Sequence, residues 1–324
     1  MNKKPFNKQI LKFDDVEAVC DQIISDLKKN IIKELSRHGG VIGISGGIDS
    51  SVSLALVTRA LGKNRVLGVM LPEKDSSPDS LMLAQILADK FEVKTIKEDI
   101  TGALDGFGCY TRRDEAVKRV FPEYNPNTHK FKIGIKQNSL MTNLPPVFSI
   151  TMVKPDGEQI DKLLHVKEYL QIVAASNFKQ RSRMSMLYYH AERLHYAVIG
   201  TPNKHEVNQG FFVKHGDGGA DVMPIGLLYK TQVYQLAEYL GVPQEIIDRT
   251  PTTDTYTAEQ TQEEFFFQLP FKLMDLIWYG WENEYSTQEV AETLEYSSEE
   301  IENVYRNFSR KQKTTSYLRR GPIF

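Results

Sequence analysis

The segment Ser45-Gly46-Gly47-Ile48-Asp49-Ser50-Ser51, entered from Val41-Ile42-Gly43-Ile44, constrains this chain more than any other stretch. A strand that runs into Ser-Gly-Gly and turns into a helix beginning near Ser50 leaves free backbone N–H groups, small side chains and a positive helix end facing one spot. That spot suits a phosphate. The carboxylate of Asp49 would repel a phosphate unless a divalent cation lay between them, so the segment predicts a site for a nucleotide pyrophosphate with Mg2+. It is not a Walker loop, because no Gly-Lys-Ser/Thr closes it.

The order of apolar residues along the chain gives the fold class. Helical spacing over residues 14–37 leads into the first strand, and after the loop the pattern predicts a helix over 52–61, a strand over 65–71, a helix over 80–91 and a strand over 93–96. Helical periodicity returns from about Leu163 to Arg193 and ends at the strand 197–201. Alternation of this kind predicts an α/β fold, a doubly wound parallel sheet flanked by helices, with ligand loops at the carboxyl ends of the strands. The polar, Gly-rich stretch 202–224 sits at such an end, ahead of a helix over 230–240 that is closed by Gly241 and Pro243. Between Gly102 and Pro155 no periodicity is clear, and Gly108, Pro122, Pro126 and Pro145-Pro146 interrupt it; the stretch reads as a functional excursion or a poorly ordered insertion. The last third reads as wholly helical, with segments at 287–294 and 298–311 and a basic end, Arg310, Lys311, Lys313, Arg319 and Arg320. The expected organisation is therefore a nucleotide-binding domain over 1–260 carrying an insertion at about 102–155, and a helical C-terminal extension over 261–324 packed on it.

Composition removes several function classes. A net charge of −2 over 324 residues argues against a general nucleic-acid binder. No apolar run of membrane-spanning length and no signal-like N-terminus occur, so a cytoplasmic protein is expected. Cys20 and Cys109 are too few for a disulfide framework or a cysteine metal site and read as incidental thiols.

Residues 45–50 resemble the signature of the ATP pyrophosphatase, or PP-loop, superfamily, whose members cleave ATP to AMP and pyrophosphate while adenylating a substrate oxygen. Further blocks extend the resemblance: Asn177-Phe178-Lys179-Gln180-Arg181-Ser182-Arg183-Met184, Gly200-Thr201-Pro202-Asn203-Lys204-His205-Glu206, and Gly210-Phe211-Phe212-Val213-Lys214-His215-Gly216-Asp217-Gly218-Gly219-Ala220-Asp221. Together with Pro224, Lys230 and Pro251-Thr252, they are similar in order and spacing to the synthetase domain of the NAD synthetase family over most of residues 13–253.

Carried over by position, the resemblance implies that Gly43, Ile44, Ser45, Gly46, Gly47, Ile48, Asp49, Ser50 and Thr201 hold ATP, with Lys230 and Thr252 on its phosphates. It implies Mg2+ on Asp49 and Glu206, and deamido-NAD held by Arg181, Lys214 and Asp221 with Asp217 beside them. The catalytic set so implied is Asp49, Glu206 and Lys230. Transfer of AMP to a carboxylate brings two anions together, which is why such a site needs a metal and a lysine on the departing pyrophosphate.

His205 and His215 are tempting acid–base groups, yet adenylation of an ionised carboxylate needs no base, and attacking ammonia can lose its proton to water or Asp217. Phe265, Phe266, Phe267, Trp278 and Trp281 read as helix core.

The chain departs from the family pattern in three places. Thr261-Gln262-Glu263-Glu264 stands where many members carry Ser-Asp-Glu or Thr-Asp-Glu, the 102–155 stretch is longer than compact ammonia-dependent enzymes require, and the usual C-terminal His-Lys contact is replaced by Arg310, Lys311 or Lys313.

The implied reaction is amidation of deamido-NAD by ammonia, drawn from solution or from a separate supplying protein, because no glutaminase fits within the chain. A PP-loop ligase acting on a different acid, and a nucleotide-binding regulator without turnover, stay open as alternatives. The resemblance also implies a homodimer near the N-terminal helix and the helix around 163–193, where Leu187, Tyr188, Tyr189 and Leu194 would offer apolar surface.

Overall fold

The computed structural model describes residues 3–135, 139–141, 147–252 and 255–324. After α1 (Val16–Lys29), the first strand β1 (Gly40–Gly43) enters α2 (Ile48–Leu61) through the Ser-Gly-Gly turn, and β2 (Val66–Met70), α3 (Pro78–Lys90) and β3 (Lys94–Lys97) repeat the step. Next come α4 (Thr101–Gly106) and α5 (Cys109–Val120), then three strands, β4 (Lys130–Ile135), β5 (Phe148–Val153) and β6 (Gln159–Leu163). The 29-residue α6 (Val166–Leu194) returns the chain to the main sheet as β7 (Ala197–Ile199). Short α7 (Lys204–Gln209) and the longer α8 (Lys230–Leu240) follow, then α9 (Gln244–Ile247), α10 (Phe271–Glu282), α11 (Thr287–Leu294) and α12 (Ser298–Thr314). Among the described residues no helix is long and apolar enough to cross a membrane.

The main sheet is parallel with strand order β3-β2-β1-β7. Successive residues of β1 point to opposite faces. Val41 packs with Leu67, Val69, Leu187 and Val198 beneath α6, and Ile42 packs with Val52, Leu56, Leu87 and Leu236 beneath α2, α3 and α8. Both faces are therefore covered. The order reverses between β1 and β7, and the crevice at such a switch point is where a parallel sheet binds its ligand.

The described residues of the 102–155 stretch are largely in regular elements. It supplies α5 and most of an antiparallel sheet of order β4-β5-β6, whose inward Phe131, Ile133, Ile150 and Met152 pack on Val117, Phe121, Ile172 and Tyr256. Pro145-Pro146 lie outside the described residues. Because Leu163 ends β6 and the Leu164 amide bonds the Phe148 carbonyl, the following helix begins at Val166, three residues later than its periodicity predicts.

The C-terminal third is helical as read. Ser286 caps α11, and Ser297 with Glu300 forms a capping box on α12. Phe267, Met274, Ile277, Trp278, Ile301, Val304 and Phe308 form one core that also takes in Phe6, Leu11 and Tyr229 from the preceding chain. Phe265 and Phe266 pack against two of the cores while also lining the cavity described next.

Candidate active site

The turn after β1 is shaped by a glycine that no other residue can replace. Gly46 has φ +72°, and a Cβ there would lie 2.7 Å from the Ser80 carbonyl oxygen and 2.8 Å from Leu83 Cβ. Beyond it α2 starts at Ile48, two residues earlier than predicted, because the Gly47 backbone takes the cap position without side-chain help. Ser50 Oγ and Ser51 Oγ donate to the Gly47 carbonyl at 2.9 and 2.8 Å, and the Ser45 and Ser50 hydroxyls meet at 3.2 Å. The first N–H groups of α2 are thereby left pointing out of the helix end, where an anion is favoured.

A cavity of about 740 Å3 opens over this turn. It is lined by Gly43, Ile44, Ser45, Gly47, Ile48, Asp49, Ser50, Arg181, Thr201, Glu206, Lys214, Asp217, Lys230 and Thr252, so residues separated by more than two hundred positions converge on one cavity. Two expected members stand outside. Gly46 turns its back to the cavity and packs on α3. Asp221 Oδ2 accepts the Val198 N–H at 2.7 Å and Oδ1 the Tyr188 hydroxyl at 3.0 Å, so it ties β7 to α6.

At the head of the cavity the buried Lys230 ammonium donates to Asp49 Oδ2, and Asp49 Oδ1 is buried without a partner. Glu206, in the first turn of α7, accepts from the Asn203 N–H at 2.9 Å. Burial, with the neighbouring Asp49 charge, pushes the Glu206 carboxyl up to about 8, against the attraction of Lys230. Burial opposes the Lys230 charge, but Asp49 and Glu206 outweigh it and hold the ammonium above its ordinary value.

An orphaned carboxylate oxygen beside a carboxyl that resists ionising is a site short of positive charge, and two hard oxygen donors fit Mg2+. No cluster of three or more His, Cys, Asp or Glu able to hold a metal occurs among the described residues. A magnesium ion here would complete its shell with water and phosphate, as magnesium commonly does on one or two carboxylates.

The far end of the cavity is held by the C-terminal segment. Lys214 Nζ donates to the carbonyls of Tyr317 at 3.0 Å and Arg320 at 2.7 Å, and Arg181 Nε donates to the Lys214 carbonyl at 3.3 Å. Asp217 Oδ1 accepts the Val213 N–H at 2.8 Å, and burial raises its carboxyl to about 6. Lys311 does not reach the cavity: it is buried against the Phe266 carbonyl at 2.8 Å, and burial pushes its ammonium down to about 7.

His205 takes no part in the cavity, and its Nε2 meets Asp275 Oδ1 at 2.6 Å. Leu187 is buried and lines the cavity, and the Tyr188 hydroxyl is bonded to the Gly219 carbonyl, so of the residues expected to offer apolar surface only Tyr189 is largely exposed.

One polar network escapes sequence reading. Lys179 Nζ pairs with Glu73 at 2.9 Å and Asp75 at 2.8 Å and donates to the Thr255 carbonyl at 3.1 Å. Arg113 pairs with Asp75 and Asp114, and the Tyr110 hydroxyl donates to Glu73. Burial works against the Asp75 charge, but Lys179 and Arg113 prevail and hold its carboxyl below the ordinary range. The network fastens the loop after β2, α5 and α6 to Thr255, and Lys179 and Thr255 both line the cavity. Lys179 stands inside a recognisable block, but nothing in that block names its acidic partners.

The model of the NAD synthase family matches the chain over residues 19–126 and 120–317. The chain belongs to this family. An NH(3)-dependent NAD(+) synthetase of Rhizobium meliloti (strain 1021) is 46% identical over 321 residues, covering 99% of this chain and 95% of that protein. The protein of the same description from Mesorhizobium japonicum is 48% identical over 309 residues, 95% of this chain and 96% of that protein. Among solved structures, an NH3-dependent NAD synthetase from Campylobacter jejuni superposes with a TM-score of 0.61 at 20% identity, over 96% of this chain and 99% of that one. An NMN synthetase from Francisella tularensis superposes with a TM-score of 0.62 at 20% identity over the same shares. At that identity the last two speak for the NAD synthase fold alone.

Proposed function

We propose that Asp49, Glu206 and Lys230 form the catalytic centre of an ammonia-dependent NAD synthetase, which amidates deamido-NAD to NAD with conversion of ATP to AMP and pyrophosphate. The observation that carries the residue assignment is the convergence of an unpartnered Asp49 oxygen, the Glu206 carboxyl and a buried Lys230 at the positive end of α2.

In this reading the pyrophosphate of ATP lies on the free N–H groups of α2. Lys230 neutralises charge as pyrophosphate departs. A carboxylate oxygen of deamido-NAD attacks the α-phosphorus, the bond to the bridging oxygen breaks, and an acyl adenylate forms. Ammonia then attacks the acyl carbon, AMP leaves with the former carboxylate oxygen, and the surplus proton passes to water or to Asp217. Magnesium bound by Asp49 and Glu206 would add positive charge to the phosphates. Thr201, Thr252, Arg181, Lys214 and Asp217 all line the cavity; in this reading the two threonines meet the nucleotide and the other three the dinucleotide.

The same reading places residues 1–260 in a PP-loop domain with 261–324 packed on it, in a cytoplasmic homodimer supplied with ammonia from solution or by a separate protein. Incubation of the purified chain with ATP, magnesium, deamido-NAD and either ammonium or glutamine tests the function. NAD and AMP should appear in equal amounts with ammonium, and glutamine should give neither. Product formed from glutamine with release of glutamate would contradict the proposal.

A further inference from the structure

The extension that follows the nucleotide-binding core places a fully buried carboxylate, Asp275, directly behind the proposed catalytic residues. Asp275, on the face of α10 that also buries Phe271, Met274, Ile277 and Trp278, and His205, in α7, are both fully buried. Asp275 Oδ1 accepts from His205 Nε2 at 2.6 Å, and Oδ2 accepts the Thr231 N–H at 2.7 Å. His205 immediately precedes Glu206, and Thr231 immediately follows Lys230. The His205 ring is fixed on its other edge, where Gln209 Nε2 donates to Nδ1 at 3.3 Å, so the ring proton sits on Nε2 facing Asp275. Tyr229, Phe267 and Trp278 close around the imidazole edge to face.

We infer that Asp275 is a positioning residue for the ATP and cation site, acting through His205 on Glu206 and through the first turn of α8 on Lys230. A buried carboxylate costs free energy unless its hydrogen bonds are made, so an apolar residue would serve α10 better if packing were all that was required. Both of its bonds go instead to neighbours of groups that the site needs at fixed separation. The Thr231 N–H is one of the donors that a helix start leaves unsatisfied, and Asp275 supplies the acceptor from another element. One carboxylate thereby sets α7 and α8 at a common distance, and with them the triangle of Glu206, Lys230 and Asp49. Loss of such a support lets reacting groups drift, and a drift of about 1 Å is enough to cost on the order of a hundredfold in rate.

The inference rests on the assignment of Asp49, Glu206 and Lys230 above, and calorimetric titration of ATP with and without magnesium, in the absence of deamido-NAD, separates the two. In the wild-type chain magnesium should tighten ATP binding, and Asp49→Asn should remove that gain. Asp275→Asn should bind ATP without magnesium within about twofold of wild type, and lose about tenfold of the magnesium-dependent gain, the scale on which supports of metal ligands act. Its kcat should fall about tenfold or more while the KM for ATP changes little. A folded Asp275→Asn with the full magnesium gain, wild-type kcat and only a lowered melting temperature would overturn the inference. If that variant does not fold, His205→Gln keeps the Thr231 bond and carries the comparison; a wild-type magnesium gain in it would be equally fatal. A full gain in Asp49→Asn would instead bring down the site assignment itself, and the inference with it.

Discussion

The Lys230 ammonium reaches Asp49 Oδ2 from the first residue of α8 to the second residue of α2, joining two helix starts that are 181 positions apart in the chain. The pair holds a cation ready at the phosphate end of the cavity while one Asp49 oxygen stays available. Removing the Asp49 charge therefore disturbs both the cation and the lysine. Asp49→Asn should fold, as shown by an unchanged circular dichroism spectrum, and should lose on the order of 10²- to 10³-fold in kcat. Wild-type AMP production at low magnesium would refute the role.

Glu206 gives the site a pH dependence whose sign follows from its raised carboxyl. The fold favours the neutral acid, so its contribution to stability is fully present below the ordinary carboxylate range and is lost as pH rises through about 8. Without magnesium the melting temperature should fall between about pH 5 and pH 8, and Glu206→Gln should flatten that fall. Magnesium should restore stability most at the upper end, where it no longer competes with the proton. Thermal scans of the two proteins across this range, with and without magnesium, check the effect.

Lys179 neutralises Glu73 and Asp75 with all three side chains buried. Lys179→Met keeps most of the volume and leaves both carboxylates short of a partner. It should cost about 3–5 kcal/mol in stability, measured by urea denaturation, because an uncompensated buried charge remains. A change below about 1 kcal/mol, the scale of an exposed pair, would show that the network is solvated.

Lys214 is tied to the carbonyls of Tyr317 and Arg320, so the end of the chain braces the loop proposed to face the dinucleotide. Truncation after Thr315 should raise the KM for deamido-NAD more than the KM for ATP. It should also speed hydrogen exchange across residues 211–219 in the free protein. Unaltered exchange there would show that the loop stands without the C-terminal brace.

The legibility of this molecule follows the range over which each constraint acts. The Ser-Gly-Gly turn was readable because Gly46 is required twice over, by its positive φ and by the wall of α3. Helix α11 fell on its predicted residues because Ser286 and a regular apolar stripe mark it locally. The sheet of β4, β5 and β6 was not readable: β4 spans only Lys130–Ile135, β6 is largely exposed, and the pairing is fixed by contacts with Phe121, Ile172 and Tyr256 from other elements. Asp221 reads from the sequence as a dinucleotide contact with Asp217 beside it, and its bonds to Val198 and Tyr188 come from elements that the sequence does not bring to it. Asp275 carries no motif, and its partner His205 is 70 positions away.

The measurement that bears most directly on the account is isotope transfer in a single turnover. Deamido-NAD labelled with 18O in its nicotinate carboxylate is mixed with the chain, ATP, magnesium and ammonium, and the products are resolved by mass spectrometry. Attack of that carboxylate on the α-phosphorus predicts one 18O atom in AMP and none in pyrophosphate. Label in pyrophosphate or in inorganic phosphate, with unlabelled AMP, would contradict it.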